Sequence, residues 1–211
     1  MKTSPSGAFS LLQSELKTLR LLDDRNQVQF TVVATAAGNA ITKGQMHLLT
    51  EALYFAAFRA YEQFLRNIFL LYCCGMQPGR RKLVRSCLQP RSLQHAEALV
   101  KSAMPFLDWS SPDTLLERAE AYLKDGYPLK TPLTANLDRL RELKKVRNHI
   151  AHMSPESLQE CKKVVKTHFA TVPLRIPRPG EFLLLPSRRL MNTYYLREYL
   201  QFIESVAASM T

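Results

Sequence analysis

Six consecutive residues carry the chemistry in this chain: Arg147-Asn148-His149-Ile150-Ala151-His152, at the end of a helical pattern. An arginine offers a planar fork of donors that matches a phosphate, and histidine is the side chain best suited to moving protons near neutral pH. A guanidinium, an amide and two imidazoles within two turns of helix point to work on a phosphodiester. At 100° per residue, Leu137, Leu140, Leu143, Val146 and Ile150 form an apolar stripe. Arg147 falls on its edge, between the directions of Leu140 and Ile150. A charge there calls for a carboxylate, a bound phosphate or a wet interface, because unpartnered burial is costly. Lys144, Ala151, Asn148 and His152 continue round from Arg147 as one polar strip, with the small Ala151 leaving room for a ligand. His149 points away from it and reads as a bystander. His152 stands at the helix C-terminus, where the macrodipole favours an imidazolium that can protonate a leaving oxygen.

Plainer roles exist for the same residues. Arg147 can pair with a carboxylate such as Glu62, and His152 can cap free carbonyls. His149 and His152 have the i,i+3 spacing of a metal pair, but no companion ligands accompany them, so no metal or cofactor is expected. Ser154 reads as the cap of the next helix rather than a nucleophile.

The elements around the motif are mainly α. Leucine spacing predicts a helix over 8–22, and residues 45–73 form the longest pattern, with Leu49, Leu53, Ala57, Tyr61, Phe64, Ile68 and Leu71 three and four apart. Further helices are expected at 91–104, 111–124 (capped by Ser111-Pro112), from Pro132 or Asn136 to His152, at 155–169 and at 189–208. The β-branched run 27–35 predicts a short strand or an extended segment, with a break at Gly38-Asn39. Prolines at 173, 177, 179 and 186 suggest a small β-hairpin or extended arm near 173–186, turning at Pro179-Gly180. The tyrosines near 194–199 and Trp109 are expected to pack inside.

The chain has 211 residues, 46% of them hydrophobic, which is enough for one helical domain with a full core. Its 29 Lys and Arg against 18 Asp and Glu leave a net charge of +11, which favours a polyanionic partner: RNA, DNA or anionic lipid. The basic segments Arg80–Arg85 and Arg188-Arg189 read as solvated faces or as extensions of an RNA path. Four cysteines without a CxxC spacing suit reduced thiols in a cytoplasmic setting, and no run is apolar and long enough for a membrane span.

Arg147-Asn148-His149-Ile150-Ala151-His152 resembles the R-x4-6-H motif of the HEPN superfamily (higher eukaryote and prokaryote nucleotide-binding domains), in the form with a polar residue after the arginine. Arg147 matches the motif arginine, Asn148 the polar second position and His152 the terminal histidine. The segment Ala57–Leu65, which carries Glu62, is similar to the long helix that precedes the motif helix in many prokaryotic members. The resemblance covers about 45–170, leaving 1–40 as an N-terminal extension and 171–211 as a C-terminal arm and helix. It implies a helical bundle and a metal-independent endoribonuclease, often a toxin or phage-defence effector. Two subunits would pair so that each supplies Arg147 and His152 to a shared cleft. Catalysis would then fall to Arg147, His152 and Asn148, with Glu62 and Lys144 supporting. Expected partners are RNA, a second copy of the chain, and an antitoxin or defence-system protein. The alternative is a non-catalytic HEPN module that binds RNA, nucleotide or a partner protein.

Overall fold

Helix-forming residues at three- and four-residue spacing fold as the pattern dictates. In a computed structural model, residues 4–32, 41–79, 83–102, 104, 107–169 and 173–211 are described. They form α1 (Pro5–Val32), α2 (Lys43–Cys73), α3 (Leu93–Lys101), α4 (Pro112–Tyr122), α5 (Lys130–Ala135), α6 (Leu137–His152), α7 (Pro155–Thr167), α8 (Pro179–Leu183) and α9 (Tyr195–Ser209). No strand occurs among the described residues, and no helix among them is long and apolar enough to cross a membrane. The helix starts follow the cap chemistry: Ser111 accepts from the Thr114 amide, and Ser154 from the Ser157 amide, each with proline next in the helix.

Two compact units are built from these elements. The first comprises 1–14, 60–141 and 203–211. Its core includes Leu12, Phe64, Ile68, Phe69, Tyr72, Leu115, Leu133 and Ile203. Phe69 meets Trp109 edge-on at 5.7 Å, and the Tyr72 hydroxyl donates to the Met210 carbonyl at 2.6 Å.

The second unit comprises 15–59 and 142–202, and it holds most of the motif helix. A file of aromatic rings fills it: Tyr54 lies 5.8 Å from Tyr199, and Tyr195 stacks on Phe182 at 4.6 Å. Within this file sits a satisfied polar cluster. Glu142 Oε1 accepts from the Tyr199 hydroxyl and meets His168 Nε2 at 2.8 Å, while Arg189 reaches Glu142 Oε2 at 3.4 Å. Burial pushes the Glu142 carboxyl up, but the bonds from His168 and Tyr199 outweigh it and hold the group below the ordinary carboxylate range. Tyr54 donates its hydroxyl to the Leu143 carbonyl at 2.8 Å, tying α2 to α6.

The structure corrects two expectations. Residues 27–32 continue α1 instead of forming a strand. The preceding helical run extends more easily than a new element starts, and β propensity carries little weight without a partner strand to pack against. The remainder of that predicted strand, the Gly38-Asn39 break and Arg80-Arg81-Lys82 lie outside the described residues. The expected β-hairpin or extended arm near 173–186 contains helix α8 instead. Pro179 takes the first helical position, where its missing N–H costs nothing, and the Phe182 amide closes the turn on the Arg178 carbonyl at 2.8 Å. What pairing exists lies just beyond, as an isolated bridge between Pro186 and Tyr194. Accordingly α9 starts at Tyr195, not near residue 189.

Candidate functional site

Helix α6 presents its apolar stripe as the projection requires. Leu140, Leu143 and Val146 are buried, and Leu137 and Ile150 are half-buried. Arg147 is half-buried at the stripe's edge, in a setting that local sequence does not reveal. Its guanidinium lies over two rings of α2, 5.5 Å from the Phe55 centroid and 5.8 Å from that of Phe58. Nη1 donates to Asn148 Oδ1 at 3.1 Å. A guanidinium keeps its charge against an aromatic face, is weakly hydrated, and still presents donors in its own plane. The rings therefore act as a ledge and the Asn148 amide as a stop.

Lys144 and Asn148 are half-buried on the same strip, while Ala151 and His152 are exposed. His152 is the last residue of α6. The helix stops there because Met153 adopts a left-handed backbone, φ 48°, which an L side chain rarely takes, and its amide closes on the His149 carbonyl at 3.0 Å. Ser154 then caps α7, so only Met153 and Ser154 separate the motif from the next helix. Arg147 and His152 are five residues apart, about 7.5 Å along the axis. Arg147, Asn148, Lys144 and His152 all belong to the second unit, whereas Glu62 lies half-buried on α2 in the first.

His149, set aside by the projection, lines a wall. Its Nδ1 lies 3.1 Å from Ser157 Oγ, and its pKa is held below the ordinary value by burial and by Lys162, against the pull of Glu51. A cavity of about 500 Å³ opens beside it, lined by residues that include His47, Leu48 and Glu51 of α2, Ile150 of α6, Leu158 of α7, and Arg178. Gly180 contacts two of these lining residues, Glu51 and His47. The Gly180 amide donates to Glu51 Oε1 at 2.8 Å, and its Cα packs on the α2 backbone at His47 so closely that a Cβ would stand 2.4 Å from the His47 carbonyl oxygen. The sequence carried one trace of this cavity, the Pro-Gly pair, which reads equally well as a turn.

Charge concentrates in the same unit. It holds sixteen Lys and Arg against nine Asp and Glu, a surplus of seven within the chain's +11. The chain matches no family model, no curated protein and no solved structure.

Proposed function

We propose that the chain is a metal-independent endoribonuclease of the HEPN type, working as a homodimer with the Arg147/His152 strips of two copies facing one cleft. The observation that carries this reading is the seating of Arg147. A half-buried guanidinium is held over Phe55 and Phe58 and steadied by Asn148, on a strip whose other end is the exposed His152. Such an arrangement holds donors in place before a phosphate arrives, which lowers the cost of ordering them in the transition state.

The RNA 2′-hydroxyl attacks the adjacent phosphorus and the bond from phosphorus to the 5′-oxygen breaks. The products are a 2′,3′-cyclic phosphate and a 5′-hydroxyl. Arg147 takes the negative charge of the phosphorane. His152 carries the proton lost by the 2′-hydroxyl to the leaving 5′-oxygen, its imidazole placed at the negative end of the α6 dipole. Asn148 orients the Arg147 fork, and Lys144 adds positive charge along the strip. A toxin or phage-defence effector is the setting this activity suits, and an antitoxin or defence-system protein is then a natural partner.

The test is incubation of purified protein with RNA in EDTA, beside Arg147→Ala and His152→Ala, with the oligomeric state measured by sedimentation. Cleavage by the parent chain, a dimer in solution and loss of cleavage in both variants are expected. Undiminished cleavage by both variants would remove these residues from the mechanism, and a strictly monomeric active protein would remove the composite cleft. Growth arrest on expression, relieved by His152→Ala and not by His149→Ala, is the matching result in cells.

A further inference from the structure

The chemistry above leaves the neighbouring cavity unused. At about 500 Å³ it is far larger than an inorganic anion needs and falls in the range that holds a nucleotide-sized ligand. Its lining divides into three kinds of surface. Leu48, Ile150, Met153 and Leu158 supply apolar wall. Glu51 supplies a carboxylate, and Arg178 an exposed cation. A smaller pocket of about 80 Å³ shares His149, Leu158, Arg178 and Pro179 with the larger one and adds Lys162. Apolar wall, a carboxylate and a cationic rim together suit a flat molecule with hydrogen-bond donors on one edge and a phosphate attached.

Glu51 narrows the choice. An ionised carboxylate only accepts hydrogen bonds. Its Oε1 already takes the Gly180 amide, which fixes the group against α8 and leaves acceptor capacity on both oxygens. Guanine places two adjacent N–H donors, N1 and N2, on its pairing edge and can serve both oxygens at once. Adenine and cytosine set a single amino group beside an acceptor, and uracil flanks its one N–H with two carbonyls. A fatty carboxylate would fit the wall and the cation but brings no donor for Glu51. Recognition of an unstacked base through its pairing edge is the usual way a protein reads single-stranded RNA.

Along both helix axes the cavity lies within about a turn of Arg147, on the side of α6 that carries His149 and Ile150. On α2, Glu51 and Phe55 are four residues apart, about 6 Å along the same face. On α6, Ile150 lies three residues from Arg147. We propose that this cavity is a guanine-selecting subsite for the nucleotide next to the phosphate that Arg147 holds, so that the substrates are RNAs with an unpaired guanosine beside the cut. Its place in the substrate rests on the ribonuclease reading; its preference for guanine does not.

The experiment titrates the full chain with GMP, AMP, CMP and UMP by calorimetry, alongside Glu51→Gln and Leu48→Trp. Glutamine keeps an acceptor for the Gly180 amide while losing the charge, and Leu48 is 64% exposed, so both variants preserve the fold. GMP binding at least tenfold tighter than the other three is expected. Glu51→Gln should weaken GMP roughly tenfold or more and level the four affinities, and Leu48→Trp should block all four. Equal affinities in the parent chain, no binding at millimolar nucleotide, or a GMP preference that survives Glu51→Gln would each overturn the proposal. Cut sites mapped on a randomised RNA pool separate the two readings. Cleavage without guanosine beside the cut, and without GMP preference, removes the subsite alone; GMP selectivity in a chain that cuts no RNA removes the ribonuclease alone.

Discussion

Replacing Gly180 by alanine tests how α8 is held against α2. The added methyl carbon would lie 2.4 Å from the His47 carbonyl oxygen, 2.8 Å from its carbon and 2.9 Å from its Cα, where ordinary contact begins at 3.4 Å. All three atoms are α2 backbone and cannot swing aside, so α8 must retreat by about 1 Å. The Gly180 amide, now 2.8 Å from Glu51 Oε1, would then sit beyond good hydrogen-bond range. Strain of this kind costs about 1–3 kcal/mol. The lost bond adds about 1 kcal/mol, counted low because Glu51 is half-exposed. Reduced freedom of the unfolded chain offsets about 0.4–1 kcal/mol. The net loss is about 1–3.6 kcal/mol, or a fall in Tm of roughly 2–14 °C for a chain of this size. Gly44→Ala is the internal control. Nothing lies within 4 Å of a Cβ there, and the position is in the first turn of α2. Alanine should leave stability unchanged or raise it by up to about 1 kcal/mol. Thermal melts followed by circular dichroism, with urea titrations to check that the m-value holds, give both numbers. A Gly180→Ala melt within about 1 °C of the parent, or an equal fall in Gly44→Ala, would refute the close-approach argument.

Two further outcomes follow from the second unit. Glu142 has a folded pKa below its unfolded value, so its stabilisation is present above the ordinary carboxylate range and is lost as pH falls through the depressed folded value. Urea midpoints taken from pH 7 down to about pH 3 should therefore fall more steeply in the parent than in Glu142→Gln; parallel curves would assign the acid sensitivity to other groups. Arg147→Lys keeps the charge but loses the planar fork and the flat contact with Phe55 and Phe58. Stability should drop by no more than about 1 kcal/mol while RNA cleavage falls by about tenfold or more, measured under single-turnover conditions. A lysine variant that cuts at the parent rate would remove the fork from the mechanism.

Helical content was legible because it depends on near-neighbour spacing. The α2 pattern and the Ser111 and Ser154 caps appear within a residue or two of their expected places. Local reading failed where a segment's state depends on what lies across from it. Residues 27–32 have strand-like side chains, yet they extend a helix already under way. Residues 179–183 sit among prolines that suggest an extended arm, and become helix because Gly180 can settle on the α2 backbone. At the site, the strip of Arg147, Asn148 and His152 could be drawn from 100° geometry alone, and so could the odd position of a charge at the edge of an apolar stripe. The aromatic ledge could not, since nothing in the sequence relates Phe55 and Phe58 to a residue some ninety positions later. His149 shows the same limit: projection on one helix sets it aside, while packing of α2, α7 and the start of α8 places it on a cavity wall.

By itself, the sequence determined a mainly helical, strongly basic chain with one helix carrying a polar strip beside its apolar stripe, because periodicity, caps and charge act within a few residues of one another. Tertiary structure alone decided what the motif arginine rests on, that Glu51 and Arg178 share a cavity with His149, and that the Gly180 amide bonds to Glu51. Those facts are contacts between segments far apart in the chain, and only the packed backbone sets their distances.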